Sequence, residues 1–467
     1  MQDLAARLEA ELIRANAGPR VPGVAVGLLH GGREIRVVHG ITHAEHPLPV
    51  DDRTLFQIAS LTKPFTATAL LRLADEGRVD LEAPVRRYLP AFALSDAAQT
   101  DDVRVRDLIT HTSGFFGDRF FLTPPAEPTL AGLVEEVRDT AQLVPPGTLF
   151  SYSNAGFSVA GRLVEVLAER PFPEALRALV LDPLGLRHTF LSADEVITHR
   201  VAAPHVVGRE RTHVLRGAGW QSGWELGAFD RPAGGLISCL HDLLAWARFQ
   251  LGDGRATGPE GEAGERVLRA ETLARMHREV HPAGGDEDAV GLGWLLADRG
   301  GVRCSGHTGQ TVGYLAEIVL QRERGFALVA LTNAVSDGGL RRTLRRFALE
   351  ACLGVRETDP VPLAEPPTDL AAYEGRYDHP FCVLRVRRGE APGELAFEGE
   401  LRPHDPARWQ PPLPPPTRYA FVAPDRVVCL APAALAGVRS DFGRDAAGRV
   451  AWIRHMSRVA PRLETRP

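Results

Sequence analysis

"TLFQIASLTKPFTAT", residues 54–68, contains Lys63, the one lysine of a 467-residue chain in which the other 53 basic side chains are arginine. An ammonium can be brought to lose its proton near neutral pH, whereas a guanidinium stays charged. A lysine kept where arginine serves everywhere else is therefore a candidate base. The apolar spacing predicts a helix from Ser60 to Glu76, ended by Gly77. Pro64 is tolerated there because the N–H groups of a first helical turn have no internal partner. On such a helix Ser60 and Lys63 project from one face, one turn apart. A serine hydroxyl is a poor nucleophile until a base takes its proton. Burial and the positive end of the helix dipole both disfavour an ammonium at that place. The pair alone is a weak signal. With 13 serines in 467 positions, chance puts one three residues ahead of a lysine about 3% of the time.

Outward from this helix, residues 22–40, "PGVAVGLLHGGREIRVVHG", read as two strands around a Gly-Gly turn. The middle, about 80 to 235, reads as loops and helices, followed by an amphipathic helix over 236–251. Residues 252–266 have the composition of a mobile insertion. Strand-like runs return in "GLGWLLA", "YLAEIVLQ" and "GFALVALTN", and "LRRTLRRFALEACLG" closes the region as a helix. Strands at both ends of residues 1–354 around a helical middle imply an α/β (α+β) domain, its antiparallel sheet assembled from distant segments. Residues 355–369 read as a linker, and 370–467 as a small antiparallel barrel or sandwich with a stiff "PPLPPP" loop at 411–416.

Composition excludes several classes. The net charge of −5 gives no support for a nucleic-acid partner, and no apolar run is long enough to span a membrane. The N-terminus alternates Leu4, Leu8 and Leu12 with charged residues, an amphipathic helix capped by Asp3 rather than a secretory signal. A cytoplasmic location is the expectation. The five cysteines (239, 304, 352, 382, 429) are scattered, without metal-ligand spacing, and read as small buried hydrophobes.

Two further stretches join the serine and lysine. "LFSYSNAGFS" (149–158) holds Tyr152 and Asn154, a phenol and an amide suited to proton transfer and amide binding. "CSGHTGQTVGY" (304–314) holds His307, Thr308 and Gly309 just before a strand, a small edge along which a substrate backbone can lie. S-x-x-K, Y-x-N and H-x-G in this order resemble the serine β-lactamase and penicillin-binding-protein superfamily. Within it the match is to the class C-like branch of esterases, D-aminopeptidases and DD-peptidases. The likeness extends through "LITHTSGF", "PLGLRHTFL", "PAGGLISCLHDLLAWARF" and "LVALTN", covering about residues 20–350.

The resemblance implies a β-lactamase/transpeptidase-like fold followed by a lipocalin-like barrel. It implies Ser60 as acylated nucleophile, Lys63 as base or relay, and Tyr152 as an acid/base whose pKa the neighbouring cation lowers. Asn154 would hold Lys63 and the substrate amide. His307, Thr308, Gly309 and Gln310 would line the substrate, with the N–H groups of Ser60 and Gln310 as oxyanion hole. His307 stands where many relatives carry lysine, which disfavours a penicillin carboxylate. The implied activity is a cofactor-free serine hydrolase of small esters, amides or peptides, with a β-lactamase or DD-peptidase as alternative and a silent binding protein as a second. A homodimer is possible, with the barrel supporting it, capping the site or setting specificity. His111 reads as a structural support of the pocket. His188, His205 and His213 read as solvated or capping residues. Trp220, Trp224, Trp294 and Tyr314 are left open between pocket and core.

Overall fold

"FALVALT", Phe326–Thr332, is apolar at nearly every position and so needs cover on both faces. In the computed structural model all seven residues are buried. The structure describes residues 2–463 apart from 19, 119–124, 209–211, 217–225, 258–261, 380, 401–415 and 434. The strand belongs to an eight-stranded antiparallel sheet. In chain order its members are β1 (Gly23–His30), β2 (Arg33–Gly40), β3 (His281–Gly284), β4 (Glu287–Val290), β5 (Leu295–Asp298), β6 (Arg303–Thr311), β7 (Tyr314–Gln321) and β8 (Phe326–Thr332). Their spatial order is β2-β1-β8-β7-β6-β5-β4-β3, so β1 and β8, about three hundred residues apart, pair directly. Gly31 and Gly32 both adopt positive φ, the two-residue turn that matches the twist of β1 and β2.

Alternate residues of β8 serve two cores. Phe326, Leu328 and Ala330 meet α1 (Gln2–Asn16) and a C-terminal helix (Leu340–Leu353) through Leu8, Leu12, Leu344 and Ala348. Ala327, Val329 and Leu331 face the helical region. There α2 (Thr62–Asp75), α3 (Asn154–Ala168) and α4 (Leu240–Leu251) pack together, and Phe65 stacks on Trp246 at 3.8 Å between ring centres.

Several boundaries differ from the sequence reading for local reasons. Asp3 lies inside α1 rather than capping it. α2 begins at Thr62, because Ala59–Leu61 form a 3₁₀ turn. α4 begins at Leu240, because Ile237 and Ser238 pair with Phe56 and Gln57 as a short ribbon. Residues 252–266 carry an antiparallel ribbon, Arg255–Thr257 with Ala263–Arg266. His307, Thr308 and Gly309 lie within β6, not ahead of a strand.

The C-terminal part is a closed barrel of eight antiparallel strands: β9 (Gly375–His379), β10 (Cys382–Arg388), β11 (Glu394–Glu400), β12 (Thr417–Ala423), β13 (Arg426–Ala431), β14 (Arg439–Arg444), β15 (Val450–His455) and β16 (Arg458–Leu463). Tyr377, Leu384, Phe397, Tyr419, Phe442 and Ile453 fill its interior as a packed core. Most of the "PPLPPP" loop, 411–415, lies outside the described residues. The barrel is joined to the rest by hydrogen bonds as well as by chain. The Arg439 N–H donates to Asp286 Oδ1 at 2.7 Å, and the Arg454 guanidinium donates to the Ala283 carbonyl. The Tyr152 N–H also donates to the Ser457 carbonyl at 2.8 Å. All five cysteines are free; four are buried and Cys352 is half-buried. Among the described residues no helix is long and apolar enough to cross a membrane.

Candidate active site

From Thr54 to Leu71 every residue is buried except Ser60. Its turn is held by three hydrogen bonds: Thr62 Oγ1 to the Ala59 carbonyl (2.6 Å), Leu236 N–H to Thr62 Oγ1 (3.0 Å) and Ile58 N–H to the Leu236 carbonyl (3.0 Å). Ala59 is thereby kept at φ +49°, a left-handed conformation costing an alanine about 1 kcal/mol. The strain is local, and it presents the next residue, Ser60, outward.

Lys63 is fully buried and bonded on three sides. Its Nζ lies 3.0 Å from Ser60 Oγ, 2.7 Å from Asn154 Oδ1 and 2.7 Å from the Ala233 carbonyl. Burial is the main reason its pKa falls from 10.5 to about 7; Asp118 and Asp230 pull it up and Arg458 pushes it down. The acceptors decide how a neutral amine must sit. Two of its three neighbours are carbonyl oxygens that only accept, so both N–H bonds go to them. The lone pair is left for the Ser60 hydroxyl.

Tyr152 faces the same serine, with its phenol hydrogen-bonded to Ser60. The Lys63 Nζ is 4.8 Å from its ring centre. The expected lowering of its pKa is not found: burial outweighs the Ser60 hydrogen bond and the Arg458 charge and pushes the phenol well above its usual range, so it stays protonated. His111 stacks on Tyr152 at 4.3 Å, accepts the Ser153 N–H at Nδ1 (2.9 Å) and the Ser151 N–H at its carbonyl (2.9 Å). It frames the Tyr152 segment, as expected. Ser153 then caps α3 by accepting the Gly156 N–H at 2.9 Å, which starts the helix at Asn154 with its amide turned to Lys63.

Strand β6 closes the other side. Gly309 is needed for this approach: a Cβ there would lie 2.1 Å from the Ile58 carbonyl oxygen, so β6 runs hard against the nucleophile turn. His307 is 4% exposed. Its Nδ1 contacts the Thr308 carbonyl at 2.7 Å and so carries the hydrogen, leaving Nε2 a buried acceptor without a partner among the described residues. Burial and the Lys63 charge push its pKa down to about 3, so the ring is neutral. Thr308 and Gln310 point to the exposed face of β6.

The structure thus gathers Ser60, Lys63, Tyr152, Asn154 and His307, and adds residues the sequence did not flag. Asp118 is fully buried and accepts the Asn154 amide N–H at 2.6 Å. Arg458, on the barrel, donates to Asp118 at 2.6 Å. Asp230 is pushed up to about 7 by burial beside them. Asp118 follows the "THTSGF" run and had only its nearness to that motif as a signal. Arg458 had none. Trp294 is core, stacked on His277 at 5.4 Å, and Tyr314 is buried with its hydroxyl on the Ala202 carbonyl. His205 is a satisfied buried residue, bonded to Ala44 N–H and the Asn333 carbonyl, not a solvated one. Trp220 and Trp224 lie outside the described residues. Among the described residues no group of three or more His, Cys, Asp or Glu could hold a metal ion.

Residues 7–353 match the family model described as Beta-lactamase. The chain is 32% identical to penicillin-binding protein 4 of Amycolatopsis lactamdurans over 364 residues, 77% of this chain and 93% of that one. It is 35% identical to esterase EstB of Burkholderia gladioli over 223 residues, 44% of this chain and 56% of that one. Among solved structures, SurE with D-Leu superposes with a TM-score of 0.76 at 24% identity, covering 99% of this chain and 100% of that one.

Proposed function

The chain belongs to the beta-lactamase family, whose members are hydrolases, and from that premise we propose that it is a serine hydrolase working through an acyl-enzyme on Ser60. The observation that carries this is the Lys63 amine: buried, near neutrality in pKa, with its lone pair facing the one accessible residue of the segment. Lys63 takes the Ser60 proton as the oxygen attacks a substrate carbonyl. Tyr152, held protonated, donates to the leaving group, and the ammonium formed on Lys63, beside the Tyr152 ring, returns a proton to the phenolate. The N–H groups of Ser60 and Gln310 take the charge on the carbonyl oxygen. Asn154 fixes Lys63 and presents its amide to the substrate. Water then attacks the acyl group and frees Ser60.

The substrate class is a small ester, amide or peptide bond. His307 supports this over a lactam: as a neutral acceptor it offers no cation to a carboxylate and favours an N–H or O–H donor. SurE was crystallised with D-Leu, which supports a D-configured residue on one side of the bond. A silent binding role is disfavoured by the intact contact of Ser60 with Lys63 and Tyr152. We read 1–354 as the catalytic domain, 355–369 as linker and 370–467 as the barrel domain.

A panel of p-nitrophenyl acetate and butyrate, D- and L-aminoacyl amides and penicillin G, run with Ser60→Ala as control, tests the assignment. Serine-dependent turnover of esters or D-aminoacyl amides is the expected result. Turnover of penicillin G alone would replace this reading with the lactamase one.

A further inference from the structure

The turn between β15 and β16 carries the barrel onto the helical side of the molecule. Met456 and Ser457 both have positive φ (49° and 63°), a tight two-residue hairpin that pushes the next side chain outward from the barrel. The hairpin is pinned to the segment before α3 by Tyr152 N–H to the Ser457 carbonyl (2.8 Å) and Val459 N–H to Ser151 Oγ (3.1 Å). Arg458 therefore arrives in a set position. Its Nε donates to Asp118 Oδ2 at 2.6 Å and its Nη2 reaches Asp118 Oδ1 at 3.4 Å. Its guanidinium carbon lies 4.8 Å from the Tyr152 ring centre, on a ring that also has Lys63 at 4.8 Å. The Asp118 oxygen facing Nη2 also accepts the Asn154 amide, whose own oxygen takes a Lys63 N–H. The chain of contacts runs unbroken from barrel to nucleophile: Arg458, Asp118, Asn154, Lys63, Ser60.

We propose that Arg458 is a positioning residue of the Ser60 site, so that the barrel completes the catalytic centre: by neutralising and orienting Asp118 it fixes the Asn154 amide and the Lys63 amine. This rests on reading Ser60 and Lys63 as the reacting pair. Geometry gives Asp118 two jobs, holding the guanidinium and aiming the amide. The Arg458 side chain is 14% exposed and the carboxylate fully buried, so neither job is shared with solvent. Without its partner the carboxylate would be a buried, unpaired charge facing Lys63. The groups facing Lys63 are Asp118, Asp230, Arg458, His111, His307 and Tyr152. The two histidines are neutral, so Asp118, Asp230 and Arg458 supply the field that the amine feels.

The lone lysine makes the test direct. Lysine labelled with ¹³C at Cε and incorporated into the full chain gives one side-chain signal, from position 63, whose pH titration is read without any substrate. Arg458→Met should raise its midpoint by about one pH unit, and Asp118→Asn should lower it by a similar amount. The double variant Asp118→Asn/Arg458→Met, which leaves no unpaired charge, should return it toward the wild-type value and serves if the single variants do not fold. Midpoints that do not move, or move in the same direction in both single variants, overturn the proposal. Ester turnover is recorded in parallel. Shifts of opposite sign in a protein that turns nothing over would keep the positioning role and remove the hydrolase reading. Turnover with unmoved midpoints would do the reverse.

Discussion

Lys63 Nζ stands 3.0 Å from Ser60 Oγ while both carbonyl groups beside it, of Asn154 and Ala233, are 2.7 Å away. The nearer contacts hold the amine's hydrogens and the longer one accepts a hydroxyl hydrogen. Arginine cannot repeat this, since a guanidinium has no lone pair to offer and keeps its charge. Lys63→Arg should lower kcat/KM for esters by about 10²- to 10⁴-fold, the range for loss of a general base. In the wild type kcat/KM should rise with pH through about 7, as Lys63 gives up its proton. A Lys63→Arg enzyme of undiminished activity would remove lysine from the mechanism.

Holding a lysine neutral costs stability in a definite pH window. Its folded pKa is about 7 against 10.5 for the free side chain. Between those values the unfolded chain binds a proton that the folded chain does not, so wild-type stability rises with pH across the window. Lys63→Met has no such dependence. Its melting temperature relative to wild type should be greatest near pH 7 and below, and the gap should narrow toward about pH 10. Thermal unfolding at several pH values measures this, and a gap independent of pH would contradict a depressed lysine.

Gly309 sets how near β6 comes to the nucleophile turn. A Cβ at that position falls 2.1 Å from the Ile58 carbonyl oxygen and 3.2 Å from Ala59 Cβ. Backbone must move to admit it, so Gly309→Ala should cost about 1–3 kcal/mol of stability. It should also depress ester turnover more than substrate binding, because the shift falls on the turn that carries Ser60. Denaturant unfolding and a kcat and KM comparison check both parts.

His307 decides which charge the site presents beside β6. Neutral and with Nε2 as acceptor, it gives no anchor to a carboxylate. His307→Lys should raise acylation by penicillin G relative to p-nitrophenyl butyrate, a ratio from which any general damage to the nucleophile cancels. An unchanged ratio would show that the carboxylate is not read at this position.

Legibility in the sequence followed separation along the chain. Ser60 and Lys63 are one helical turn apart, and their relation was visible because local geometry fixes it. The sheet was legible from strands at both ends of the domain, while the pairing of β1 with β8 was not, because an apolar run states a need for cover and not which strand lies beside it. Tyr152, Asn154 and His307 were found through short motifs joined by a family likeness. Arg458 was out of reach. It meets Asp118 across 340 positions, and nothing in its neighbours distinguishes it from 52 other arginines. The pKa of Tyr152 was misjudged for a related reason: a neighbouring cation can be guessed from motifs, but the depth of burial that outweighs it cannot.

The proposed mechanism turns on an acyl group carried by the Ser60 oxygen. Intact-mass spectrometry of the protein quenched during turnover of p-nitrophenyl acetate, with peptide mapping of the adduct, tests it most directly. One acetyl group is expected, mapped to Ser60 and absent from Ser60→Ala. An adduct on another residue, or ester turnover that persists in Ser60→Ala, would contradict it.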